Sequence, residues 1–158
     1  RQRSSGSTRI NRIIIMNNDI VACARSFLGT RFHHQGRLKK SDIHKGGVDC
    51  LGLLIGVADE LNRPCGKHDE TNYSHYPDTG RLRANIANVM QEISKENIEI
   101  GDVLLLSIDD NPQHLAIVSE ISGEIAIIHA YAPARGVVEH ILDGWWRERI
   151  VAVFRVIF

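Results

Sequence analysis

The feature that most narrows the fold is a change of hydrophobic period near residue 101. From there onward the apolar residues come in five short, largely β-branched runs, GDVLLLSI, QHLAIVSEI, EIAIIHAYA, GVVEH and IVAVFRVIF, separated by Gly, Asp, Asn or Pro. Runs of that length and punctuation predict consecutive antiparallel strands. Before residue 101 the spacing is helical. Ile20, Val21, Ala24, Phe27 and Leu28 follow a capping Asn17 or Asp19 and stop at Gly29. Leu51, Leu54, Ile55, Ala58 and Leu61 define a central helix ended by Asn62 and Pro64, and residues 81–91 predict a modest amphipathic helix ending near Met90. Residues 29–49 read as a polar loop, 63–80 as a long surface connection, and DGWWRER as one helical turn or a tight corner. Helices first and strands afterwards predict an α+β domain.

With 158 residues, 43% of them apolar, the chain is long enough for one real core and too short for two. Residues 16–158 are therefore expected to form a single domain. Residues 1–15, RQRSSGSTRINRIII, read as an N-terminal extension, disordered or added in cloning, ahead of Met16 as a natural start. Nineteen basic and nineteen acidic residues leave no overall field to gather nucleic acid or an anionic membrane. No run approaches the roughly 18 apolar residues that would span a bilayer. Cys23, Cys50 and Cys65 contain no C-x-x-C spacing, so they predict reduced thiols and neither a disulfide framework nor a thiolate zinc site. Most of the eight histidines stand in polar stretches and read as solvated.

Cys50 stands apart because of its neighbours in HKGGVDCLGLLIGVADEL, residues 44–61. If Asp49 caps the central helix, Cys50 takes its first position, where unpaired N–H groups and the helix dipole favour a thiolate and could hold an oxyanion. A small buried hydrophobe is the competing reading of the same cysteine, as a plain cap is of Asp49.

A nucleophile needs a base, and QHLAIVSEISGEIAIIHA carries two histidines in what reads as a hairpin. With a two-residue turn at Ser122-Gly123, facing residues have numbers that add to 245. His129 then faces Ala116, and His114 becomes its diagonal neighbour on the same face, with Cβ atoms roughly 7–8 Å apart. A turn longer by one residue would send the two rings to opposite faces. Such a pair fits an imidazole base oriented by a second polar group.

GGVDCLGLL, HLAIVSEISGEIAIIHA and GWWRER resemble, in that order, the nucleophile motif, the base and third-residue motifs and the closing aromatic-basic segment of the NlpC-type cell-wall cysteine peptidases, a papain-like group. ARSFLGTRFHHQGR is similar to the segment leading to their nucleophile, particularly in the version found in phage tail-associated cell-wall peptidases. The resemblance covers nearly all of residues 19–155. It implies a central antiparallel sheet with the Cys50 helix packed on it. Cys50 would be the nucleophile, His114 the general base and then acid, and His129 the group orienting His114. Asp49 and Phe32 would lie at the substrate or oxyanion end, with no metal and no cofactor. Leu51 stands where many members have serine and Phe32 where many have tyrosine. The fifteen residues from His114 to His129 exceed the usual spacing and imply a longer hairpin.

The activity implied is a cysteine endopeptidase cutting an amide in the peptide stem of bacterial peptidoglycan, often between D-glutamate and a diamino acid. The partners implied are that stem peptide and phage tail proteins, with no nucleic acid and no membrane insertion. Without an export signal, such a chain would be made in the cytoplasm and carried to the wall by a phage tail, a secretion apparatus or lysis. The same residues leave other readings open: a tail-assembly or wall-binding module without turnover, a thiol acyltransferase or deamidase, or a metal site of Cys50, His114 and His129.

Overall fold

The structure, a computed structural model, describes residues 16–63, 80–108 and 111–156, and the backbone alone at 111–113. The strand runs pair into one antiparallel sheet. Its members are β3 (Met90–Ile93), β4 (Val103–Ile108), β5 (Asn111–Ile121), β6 (Glu124–Tyr131), β7 (Gly136–Ile141) and β8 (Ile150–Val156), in the order β3-β8-β4-β5-β6-β7. The central strands are buried on both faces, which is why LLL and LAIV are continuous apolar runs rather than alternating ones.

On one face Val103, Leu105, Leu115, Ile117, Ile128 and Phe154 pack with Ala24 and Phe27 of a first helix, α1 (residues 16–25, with turns to Gly29), and with Leu53 and Val57 of α2 (Cys50–Glu60). On the other face Leu104, Leu106, Ala116, Val118, Ile127 and Val153 meet Leu142 and Trp146, the latter from the four-residue helix α4 (Gly144–Arg147). Of the two readings open to DGWWRER, a helical turn or a tight corner, the segment forms the helical turn. Across the sheet, Arg155 on β8 binds the buried Asp102 just ahead of β4 through two 2.8 Å bonds.

The β5–β6 hairpin has the two-residue turn at Ser122 (φ 51°) and Gly123 (φ 83°), the positive pair of a type I′ turn. Its register runs from Ile121 opposite Glu124 to Ile117 opposite Ile128, numbers that add to 245 as expected. The wide spacing of the histidines comes from long strands and a short turn.

Two expectations are corrected. The helix read over 81–91 ends sooner: α3 is Arg81–Ala87, and Met90–Ile93 instead forms β3, antiparallel to β8 with Met90 opposite Val156. Leu82, Ile86 and Val89 fit a helical period, but the β8 edge offers the backbone a ladder that local spacing cannot register. The polar loop 29–49 is also partly ordered as a two-stranded ladder, β1 (Arg37–Leu38) with β2 (Gly47–Val48). Single bridges join Phe32 to Val48 and Arg31 to Gly136. The 1–15 extension, nearly all of the 63–80 connection and Cys65 lie outside the described residues.

Candidate active site

Asp49 is extended (φ −101°, ψ −172°) and caps α2, its Oδ1 accepting from the Gly52 amide at 2.8 Å. The same carboxylate accepts from the Gln35 amide at 2.8 Å and from the Arg37 guanidinium at 3.1 Å. Two donors from the 33–37 loop and one from α2 therefore converge on a residue only 4% exposed, which pins that loop over the helix start. Gly52 makes that approach possible: a Cβ there would lie 2.1 Å from the Gly36 carbonyl oxygen.

Cys50 is the first residue of α2 and keeps partial solvent access. Burial nevertheless pushes its thiol up to about 12, and the Asp49 carboxylate adds to the rise. Backbone N–H groups of Leu115, Leu51 and Cys50 itself oppose it by favouring the thiolate. The Leu115 contact brings Cys50 to β5 at the residue directly after His114.

His114 and His129 are bonded, Nε2 to Nδ1, at 2.6 Å, and both are buried. They share the sheet face of Ala116 and Ile127, as the 245 register requires. Burial lowers His114 to about 4 and His129 to about 2, the latter aided by repulsion from His114 and His140. At neutral pH both are uncharged imidazoles.

A third histidine continues the line. His129 Nε2 meets His140 Nε2 at 2.8 Å, and His140 Nδ1 meets the Ile141 carbonyl at 2.9 Å. The ring of Tyr131 stacks on His129 at 5.1 Å, and Trp146 lies edge-on to it at 4.9 Å and tilted against His140 at 5.2 Å. GVVEH reads as a strand in the sequence, and its local spacing does not single out His140. The signal was the β6–β7 register, in which His140 faces Ile127, two residues from His129. The connection between those strands is a 3-10 turn, Ala132–Ala134, with Arg135 at φ 62°, and it has no two-residue signature from which to count.

Of the remaining expected residues, Phe32 packs against the core, and its amide donates to the Arg135 carbonyl at 3.0 Å. Its ring lacks the hydroxyl that a tyrosine would offer. Cys23 lies away from the histidines, its thiol bonded to Glu60 at 3.2 Å and raised to about 12 by burial and then by that carboxylate. His33 and His44 are exposed, as expected of loop histidines.

The Cys50 helix packed on a six-stranded antiparallel sheet that carries imidazoles defines an α+β, papain-like fold. No family model and no curated protein matches the chain, but solved structures do. The NlpC/p60 domain of the peptidoglycan hydrolase SagA superposes with a TM-score of 0.56 at 22% identity, over 89% of this chain and 98% of that one. The peptidoglycan hydrolase RipB from Mycobacterium tuberculosis gives 0.58 at 16% identity, over 100% of this chain and 74% of that one. An N-acetylmuramoyl-L-alanine amidase from Bacteroides uniformis gives 0.62 at 12% identity, over 89% and 98%. The fold is that of the NlpC/p60 domains.

Proposed function

We propose that this protein is a thiol amidohydrolase that cleaves an amide in the peptide stem of bacterial peptidoglycan, with Cys50 as nucleophile, His114 as base and then acid, and His129 orienting His114. The observation that carries this reading is the contact of Cys50, at the start of α2, with the Leu115 amide beside a hydrogen-bonded His114–His129 pair. Similarity to domains named as peptidoglycan hydrolases and amidases supports the substrate class.

With the thiol raised and His114 lowered, the resting pair is neutral thiol and neutral imidazole. The sulfur therefore loses its proton to His114 as it attacks the carbonyl, rather than waiting as an ion pair. Amides at the start of α2 hold the oxyanion, and Asp49 keeps that turn in place. His114 returns the proton to the leaving amine, and water then releases the acyl group with the same histidine as base. The aromatic shell of Trp146 and Tyr131 keeps the imidazole line in a low dielectric, which strengthens its bonds.

Purified peptidoglycan and synthetic stem peptides, incubated with the protein and with Cys50→Ala, test the assignment. Product masses separate cleavage after D-glutamate from cleavage at the muramoyl link, and equal product from both proteins sinks it. His114→Ala is expected to lower turnover on the order of 100- to 10,000-fold. The segment 24–37, with its resemblance to phage tail-associated peptidases, supports delivery to the wall on a tail particle; detection of the chain in purified virions tests that route. A thiol acyltransferase would instead pass the acyl group to an added amine, which the same mass analysis detects.

A further inference from the structure

We infer that His140 is a positioning residue: with the Ile141 carbonyl behind it, it sets the proton order along three histidines so that His114 presents an unprotonated Nδ1 to its reaction partner. The inference rests on the base role proposed for His114 and adds the residue that makes that role available.

The ordering follows from the one member of the line that cannot donate. Ile141 contributes a carbonyl oxygen, so the 2.9 Å bond requires the proton on His140 Nδ1. When that is the only proton on the ring, His140 Nε2 is bare, and the 2.8 Å bond to it requires the proton on His129 Nε2. His129 in turn has a bare Nδ1, so the 2.6 Å bond places the proton of His114 on Nε2 and leaves its Nδ1 a lone pair. Each nitrogen–nitrogen contact holds one hydrogen, and one choice at the carbonyl settles all three rings. Among the described residues, the rings that face His140 are His129 on β6 and Trp146 on α4. Neither competes for Nδ1, because His129 engages Nε2 and Trp146 makes ring contact only. When His114 takes up a proton, its Nε2–H still points at His129 Nδ1, so the same order supports the charged intermediate.

Two variants separate this role from packing. His140→Gln keeps a carbonyl oxygen to accept from His129 and an amide to donate to Ile141, whereas His140→Leu removes both. The direct readout is long-range proton–nitrogen NMR of the histidine-labelled protein at neutral pH. In the wild type, His114 and His129 are expected to carry the proton on Nε2 and His140 on Nδ1. In His140→Leu, the His129 and His114 nitrogens are expected to shift toward mixed tautomers. On stem peptides, kcat is expected to fall roughly 10- to 100-fold with little change in KM, and His140→Gln to recover most of it. A wild-type His114 protonated on Nδ1 overturns the inference, as do His129 and His114 tautomers unmoved in a folded His140→Leu. If His140→Leu does not fold, the wild-type spectrum and His140→Gln decide. The stated tautomers in a protein without hydrolytic activity would leave the proton order standing and overturn the enzymatic reading and, with it, the positioning role.

Discussion

His114 Nε2 lies 2.6 Å from His129 Nδ1, although the two stand fifteen positions apart in the chain. What brings them together is a local device, the two-residue turn at Ser122-Gly123, and two strands long enough to carry its register away from the turn. The strength of that turn is therefore a condition for the candidate site.

Gly123→Val tests the turn. Gly123 sits at φ 83° with none of the described residues within 4 Å of the point where a Cβ would stand, so the cost is conformational and not steric crowding by those neighbours. A β-branched residue there is expected to destabilise the protein by about 1–2 kcal/mol in urea unfolding. An unchanged midpoint would show that the hairpin does not need this turn.

Acid should weaken the fold through the same histidines. His114 and His129 have folded values of about 4 and about 2 against 6.5 for a free imidazole, so below 6.5 the unfolded chain binds protons that the folded chain refuses. Their contribution is complete above pH 6.5 and is lost as pH falls toward the folded values, on the order of 3 kcal/mol from His114 alone. Urea midpoints measured from pH 7 to pH 4 should fall, and His114→Gln should flatten the slope. A pH-independent midpoint would overturn the neutral, buried state of the pair.

Reactivity of Cys50 should also depend on pH. With its thiol near 12, alkylation by iodoacetamide is expected to be slow at neutral pH and to rise about tenfold per pH unit through the alkaline range. Peptide mass analysis separates Cys50 from Cys23 and Cys65. A plateau beginning below neutral pH would mean a preformed thiolate–imidazolium pair in place of coupled proton transfer.

Asp49 has two separable effects. Asp49→Ala removes an acceptor shared by the Gly52 and Gln35 amides and the Arg37 guanidinium and is expected to cost about 2–3 kcal/mol. Asp49→Asn retains a capping oxygen while removing the negative charge that helps raise Cys50. Its fold should lose less, and its thiol should alkylate faster at a given pH. Slower alkylation in a folded Asp49→Asn would contradict the assigned sign of that charge.

The parts of the site legible in the sequence are those set by neighbours along the chain. Asp49 followed by Cys50 and an apolar helical period marks a capped helix start, and Ser122-Gly123 between strand runs sets a register that can be counted outward to His114 and His129. Each depends on backbone geometry over a few residues, which local residue types control. Tertiary pairing decided the rest. Met90–Ile93 became a strand because β8 presented an edge, the 29–49 loop acquired a ladder because Asp49 and Gly52 draw it onto α2, and His140 joined the histidine line because β7 pairs with β6 after a turn that cannot be counted. By itself the sequence determined the α+β order of elements, the helix cap under Cys50 and the His114–His129 hairpin. Only the tertiary structure decided the sixth strand, the loop held over Cys50 and the third histidine, because each depends on hydrogen bonds between segments whose partners local spacing does not encode.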